Sequence, residues 1–209
     1  MKLCVFDFDS TLMDGETIDF LAKELNFEKE VSLITDSAMQ GKIDFFESLN
    51  KRVKFLKGLP QKRVDEICHN LPYMCGAKET IRELKDRGFT IVVFSGGFRN
   101  ATSYAKDILG YDVDFSNILH VKDGILTGKV GGDMMFGFSK GDMLSRLQAL
   151  LKVDIDSTMV VGDGANDISM FKYAKTRVAF CAKKVLKSEA NLIVDEKDLT
   201  KILEGDLCI

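Results

Sequence analysis

Along most of the chain, short apolar runs alternate with longer stretches in which apolar residues recur at helical spacing. The runs at 2–6, 89–94, 158–161, 177–180 and 192–194 are rich in Val, Ile or Phe, as strands covered on both faces should be. Their alternation with amphipathic segments predicts βα units wound into a mostly parallel sheet. Asp123-Gly124, set between the apolar runs 118–121 and 125–127, predicts a two-residue hairpin that adds antiparallel strands at an edge.

Between about residues 14 and 75 the strand pattern disappears and the periodicity is helical. Ile18, Leu21, Ala22 and Leu25 follow i, i+3, i+4, i+7; Phe45, Phe46, Leu49, Val53 and Leu56 mark a second helix; Val64, Ile67, Cys68 and Leu71 mark a third. Pro60 suits the first turn of that third helix. The expected class is α/β: a Rossmann-like, mostly parallel core made of residues 1–13 and 76–209, with a small helical cap domain, 14–75, inserted after the first strand. In parallel sheets ligands bind at the carboxyl ends of the strands, so an insert there is placed to act as a lid.

The 209 residues, 45 % of them hydrophobic, suffice for one domain with a full core, or one domain carrying an insert. Lys and Arg number 29 against 32 Asp and Glu, and the net charge of −3 leaves no basic excess to neutralise a nucleic-acid backbone. No apolar run approaches the ~20 residues that span a bilayer. Asp7 interrupts the N-terminal stretch where an export signal requires continuous apolar residues. The expectation is a cytoplasmic protein with a small-molecule partner, no nucleic acid and no membrane, as a monomer or homodimer. Cys4, Cys68, Cys75, Cys181 and Cys208 include no C-x-x-C pair, which argues against a disulfide framework or a structural zinc site; each is read as a buried thiol.

Chemistry gathers at predicted strand ends. The first strand runs into Asp7-Phe8-Asp9-Ser10-Thr11, and the one at 158–161 into Gly162-Asp163-Gly164-Ala165-Asn166-Asp167. Aspartates are common in solvated turns, but a strand buried on both faces delivers Asp7 into a partly desolvated crevice, where a cation is the usual remedy. Asn166 or Asp167 could cap the following helix, and Gly162 and Gly164 permit a tight turn with close backbone approach to a ligand. Capping does not account for Asp163. Hard oxygen donors on two neighbouring strand ends suit Mg²⁺. Ser95-Gly96-Gly97 offers a hydroxyl and open amides ahead of a helix, an arrangement suited to anions. Lys140 stands at a helix start, where it opposes the macrodipole at a cost of a few tenths to about 1 kcal/mol unless an anion is near. Together these loops suit phosphoryl transfer. In the insert, Phe45 and Arg52 lie seven residues apart on one helix face, either as a lid element that reads a small zwitterion or as a core residue with a solvated neighbour. His69 and His120 fall outside every motif and are read as structural or exposed.

The loops at Asp7 to Thr11, Ser95 to Gly97, Lys140 and Gly162 to Asp167 resemble, in order, the four motifs of the haloacid dehalogenase superfamily. Asp9-Ser10-Thr11-Leu12 with Glu16, Met39-Gln40-Gly41-Lys42, Phe45 with Ser48-Leu49 and Lys51-Arg52-Val53, and Ser139-Lys140-Gly141-Asp142 are similar to its phosphoserine phosphatase family, over essentially the whole chain. The resemblance implies Mg²⁺-dependent hydrolysis of O-phosphoserine, the last step of serine biosynthesis. Asp7 would be the nucleophile that becomes an aspartyl phosphate, and Asp9 the acid and base. Mg²⁺ would be held by the Asp7 carboxylate, the Asp9 carbonyl and Asp163, with Asp167 in support. Ser95, Gly96, Lys140 and Asn166 would hold the phosphoryl group or its loop. Glu16 would face the substrate ammonium and Arg52 its carboxylate, under an apolar cover of Met39 and Phe45. A phosphatase or phosphotransferase for another small phosphate ester, and a phosphorylated signalling receiver, are the alternatives.

Overall fold

The computed structural model describes residues 1–205. Its strands are β1 (Lys2–Asp7), β2 (Phe89–Phe98), β3 (Val113–Lys122), β4 (Ile125–Gly132), β5 (Thr158–Gly162), β6 (Thr176–Phe180) and β7 (Leu192–Val194). They form one sheet in the order β4-β3-β2-β1-β5-β6-β7, parallel throughout except for the β3–β4 hairpin. Asp123 and Gly124 at its tip both take positive φ, 53° and 76°, as the predicted two-residue turn demands.

β1 is central and buried on both faces, so its residues alternate between two apolar layers. Cys4 and Phe6 join one cluster with Ile91, Val93, Met159 and Val161; Leu3 and Val5 join the other with Val92, Phe94 and Val160. Each such side chain contributes about 1.5–3 kcal/mol on burial. Helices α5 (Ala77–Asp86), α6 (Arg99–Leu109), α7 (Ser139–Leu151), α8 (Ile168–Phe171) and α9 (Lys184–Lys187) accompany the sheet.

Four helices stand between β1 and α5: α1 (Thr17–Lys23), α2 (Glu28–Met39), α3 (Phe45–Lys54) and α4 (Gln61–His69). The sequence pattern marks three of them. α2 escapes because its buried stripe, Val31, Thr35, Ala38 and Met39, holds only two large apolar residues. Pro60 sits one position before its expected place, at the N-cap of α4. The segment leading into α4 is bonded to the β3–β4 hairpin: Gly58 N donates to Leu126 O, Leu126 N to Leu59 O and Gln61 N, at the start of α4, to Gly124 O in the turn, each at 2.9 Å. β2 also runs past its expected end at Phe94, through an irregularity between Ser95 and Phe98.

Two thiol readings need correction. Cys75 is exposed, because its neighbour Met74 fills the buried position in that stretch, and Cys181 is only half-buried. Cys4 and Cys68 are buried as expected, and Cys208 lies outside the described residues. His69 stacks on Tyr104 with 4.0 Å between ring centroids, and His120 Nδ1 lies 2.9 Å from Thr127 Oγ1. No helix among the described residues is long and apolar enough to cross a membrane.

Candidate active site

Because β1 pairs with β2 on one side and β5 on the other, three strand ends open side by side. They deliver Asp7 at the end of β1, Ser95 near the end of β2 and Asp163 just after β5. Lys140, the second residue of α7, enters the same crevice. Its Nζ lies 2.6 Å from Asp7 Oδ1 and 2.6 Å from Asp167 Oδ1, with all three side chains almost wholly enclosed. These two carboxylates are the anions that reconcile a lysine with a helix N-terminus.

Asp167 makes no side-chain cap on α8 but closes the short helical turn at 165–167 from its last residue. Its Oδ2 reaches back to accept from Asp163 N and Gly164 N, both at 3.0 Å, and so clamps the loop that carries Asp163. The two glycines of that loop are closely surrounded. Neither has positive φ. A Cβ at Gly162 would fall on the Asp167 carboxylate, and one at Gly164 would come within 2.8 Å of both Asn166 Oδ1 and Met39 Sδ. They make room for side chains.

Asp7, Asp163 and Asp167 offer carboxylate oxygens within 4.8 Å of one another, against the single ammonium of Lys140. Burial, then the charge of Asp167, pushes Asp7 up to about 7, with Lys140 opposing. Burial and the charges of Asp7 and Asp167 hold Asp163 well above the ordinary carboxylate range. For Lys140, burial pulls downward, but Asp167 and Asp7 outweigh it and keep the ammonium above its usual value. Asp163 Oδ1 and Asn166 Oδ1 are buried with no hydrogen-bond partner among the described residues. Orphaned hard oxygens with surplus negative charge fit a divalent cation.

Asp9 is held from two sides. Its Oδ1 accepts from Thr17 N at 2.7 Å and Thr17 Oγ1 at 2.5 Å, and its Oδ2 from Ser95 Oγ at 3.4 Å. Burial raises its pKa while the Thr17 bonds lower it. Thr17, which the sequence reading passes over, is thus the first residue of α1 and the tether of Asp9. One of the amides expected to be open is occupied: Gly97 N donates to Ser95 Oγ at 2.9 Å. Gly96 still lines the pocket, and Phe45 lies over it so closely that a Cβ there would sit 2.6 Å from Phe45 Cζ.

Above the strand ends, α1, α2 and α3 close a pocket with about 20 Å³ of free volume, lined by Asp7, Asp9, Glu16, Met39, Phe45 and Arg52 among others. Glu16 accepts from Ser10 Oγ at 2.8 Å; burial, then the charge of Asp9, pushes it up to about 8 against the pull of Arg52. Arg52 is 3 % exposed, with Cζ 6.0 Å from the Phe45 ring centre, so it is not a solvated neighbour. Burial lowers its pKa while Glu16 and Asp19 support the charge. The sequence-predicted site residues thus converge on one crevice and its cover.

A haloacid dehalogenase-like hydrolase family matches residues 1–175. The chain belongs to that family. In this haloacid dehalogenase-like hydrolase the matched span includes every site residue named above. A phosphoserine phosphatase of Wolinella succinogenes is 61 % identical over 203 residues, covering 97 % of this chain and 98 % of its own. One of Methanocaldococcus jannaschii is 47 % identical over 203 residues, covering 97 % and 96 %. A solved substrate-bound phosphoserine phosphatase complex superposes on the hydrolase with a TM-score of 0.94 at 47 % identity, covering 97 % of both chains. A phospho-aspartyl intermediate analogue of a phosphoserine phosphatase gives the same values.

Proposed function

We propose that the chain is a Mg²⁺-dependent phosphoserine phosphatase that releases serine and phosphate from O-phosphoserine, completing serine biosynthesis. In this reading residues 14–75 form a cap over a core of 1–13 and 76–209, and the enzyme acts in the cytoplasm as a monomer or homodimer. One observation carries it: a single closed pocket joins Asp7 and Asp9 to Glu16 and Arg52. Two carboxyl groups for chemistry stand at one end, and an acid and a guanidinium that match the ammonium and carboxylate of an amino acid at the other.

Asp7 attacks phosphorus through a carboxylate oxygen, the bond from phosphorus to the serine oxygen breaks, and Asp9 gives that oxygen its proton. Water then attacks the aspartyl phosphate, Asp9 takes back a proton, and phosphate leaves with Asp7 restored. Burial favours the protonated form of Asp9 before attack, and the Thr17 bonds fix its orientation. Lys140, within 2.6 Å of Asp7, holds the phosphoryl group with Ser95, Gly96 and Asn166. The Asp7 and Asp163 carboxylates and the Asp9 carbonyl would hold Mg²⁺, with Asp167 keeping their loop in place. When bound, the cation neutralises charge on the phosphoryl group. Met39 and Phe45 exclude water from the closed pocket, so the insert must swing away for substrate to enter.

The test is phosphate release from a panel of phosphorylated amino acids, sugars and aryl phosphates, with and without Mg²⁺, on wild type and Asp7→Asn. Phosphoserine should lead in kcat/KM, Mg²⁺ should be required, and Asp7→Asn should lose several orders of magnitude. Preference for another ester, or near-normal turnover in Asp7→Asn, would overturn the reading.

A further inference from the structure

Arg52 is fixed by more than its own helix. Its Nε donates to Ser48 O at 3.4 Å and its guanidinium lies 6.0 Å from the Phe45 ring centre, both partners belonging to α3. Nη1 instead donates to Thr35 Oγ1 at 3.1 Å, on the neighbouring helix α2. Thr35 is 4 % exposed and sits 17 residues away in sequence. Its hydroxyl lies 3.1 Å from Val31 O, one turn back in α2, and 3.4 Å from Asp19 Oδ1. A hydroxyl has one proton and two acceptor lone pairs. With the proton directed to Val31 O or Asp19, a lone pair is left facing Arg52.

We propose that Thr35 is a positioning residue for substrate selection: its hydroxyl anchors Arg52 Nη1 so that the guanidinium meets the α-carboxylate of a phosphorylated amino acid. This rests on the reading of Arg52 as the carboxylate partner. A long arginine held only by its own helix can reorient about several bonds, whereas a planar fork pairs a carboxylate bidentately only when its plane is set in advance. Thr35 supplies that setting from a second helix. α2 is in turn joined to the sheet side of the pocket, through the ion pair of Asp36 with Lys183 at 2.7 Å and through Met39, which packs over Gly164. The tether therefore relates the carboxylate-reading group to the strand ends.

The test uses the full-length enzyme and two substrates, phosphoserine and an aryl phosphate that lacks an α-carboxylate. Thr35→Val keeps the branched shape and removes the hydroxyl; Thr35→Ser restores the hydroxyl and removes a methyl. The readout is the ratio of the two kcat/KM values within one preparation, which a partly unfolded sample leaves unaltered. The ratio should fall about tenfold in Thr35→Val, the scale of one hydrogen bond to a charged group, chiefly through the KM for phosphoserine. Thr35→Ser should recover most of it. In an Arg52→Ala background, Thr35→Val should have no further effect on the ratio. An unchanged ratio in folded Thr35→Val, a Ser variant as impaired as Val, or an equal loss without Arg52 would each overturn the proposal. Should Thr35→Val not fold, Thr35→Ala read against Thr35→Ser makes the same comparison. A wild-type enzyme indifferent to phosphoserine fails the functional reading itself, a result visible before any variant is made.

Discussion

Metal-free protein should lose stability as pH rises from about 5.5 to 8, the reverse of what ordinary salt-bridged carboxylates produce. The sign follows from the shifts. Asp7 is pushed from 3.8 to about 7 and Glu16 from 4.5 to about 8, burial leading in both. Between those limits the folded state retains protons that the unfolded chain has released, so stability is fully present at low pH and drains away as pH climbs through the folded values. Within that range the Asp7 contribution runs only up to its value of about 7, roughly 2 kcal/mol at ~1.36 kcal/mol per pH unit, and the Glu16 contribution up to about 8, roughly 3 kcal/mol. Asp7 and Asp163 raise one another within a single cluster, so their contributions overlap rather than add. At about 2–4 °C per kcal/mol for a chain of this length, Tm in EDTA should drop on the order of 10 °C across that range.

Circular dichroism serves for the melts, since the chain has no tryptophan. Mg²⁺ should reverse the loss, adding about 2.7 kcal/mol at one hundred times its Kd. Asp163→Asn removes one of the repelling charges together with a ligand, so its EDTA profile should be flatter and its response to Mg²⁺ small. A Tm that stays level or rises between pH 5.5 and 8 without metal would refute the picture of an overcharged buried cluster. So would a profile for Asp163→Asn as steep as that of wild type.

Two further substitutions probe the loops. Asp9→Asn should slow phosphoserine hydrolysis by roughly 10²- to 10⁴-fold and aryl phosphates less, because good leaving groups need no proton; equal losses in steady-state assays would remove Asp9 from leaving-group protonation. Gly162→Ala would drive a methyl into the Asp167 carboxylate, costing about 1–3 kcal/mol by overpacking and disturbing the contact with Lys140. A variant with unaltered Tm and turnover would show that Asp167 does not need that space.

Much of this site is legible in the sequence because burial and charge conflict there. Leu3 to Phe6 reads as a strand with no solvated face, and a carboxylate at its end must find a partner, which makes Asp7 visible; Asp163 after Thr158 to Val161 is visible for the same reason. Phe45 and Arg52 declare a common face through their spacing alone. What escapes is support. Thr17 and Thr35 bond across 8 and 17 residues, and an isolated threonine in a helix carries no sign of what it will touch. How Asp167 supports its loop is also hidden, because an aspartate that caps forward and one that clamps backward look alike until the loop is folded. α2 is missed for a related reason: its inward face is partly made of Thr35, whose polar side chain weakens the apolar periodicity from which a helix is read. Periodicity reports which side chains face a core. It is silent on the hydroxyl that fixes a charged group once the chain closes on itself, and in this protein such hydroxyls hold both the Asp9 carboxyl and the Arg52 guanidinium.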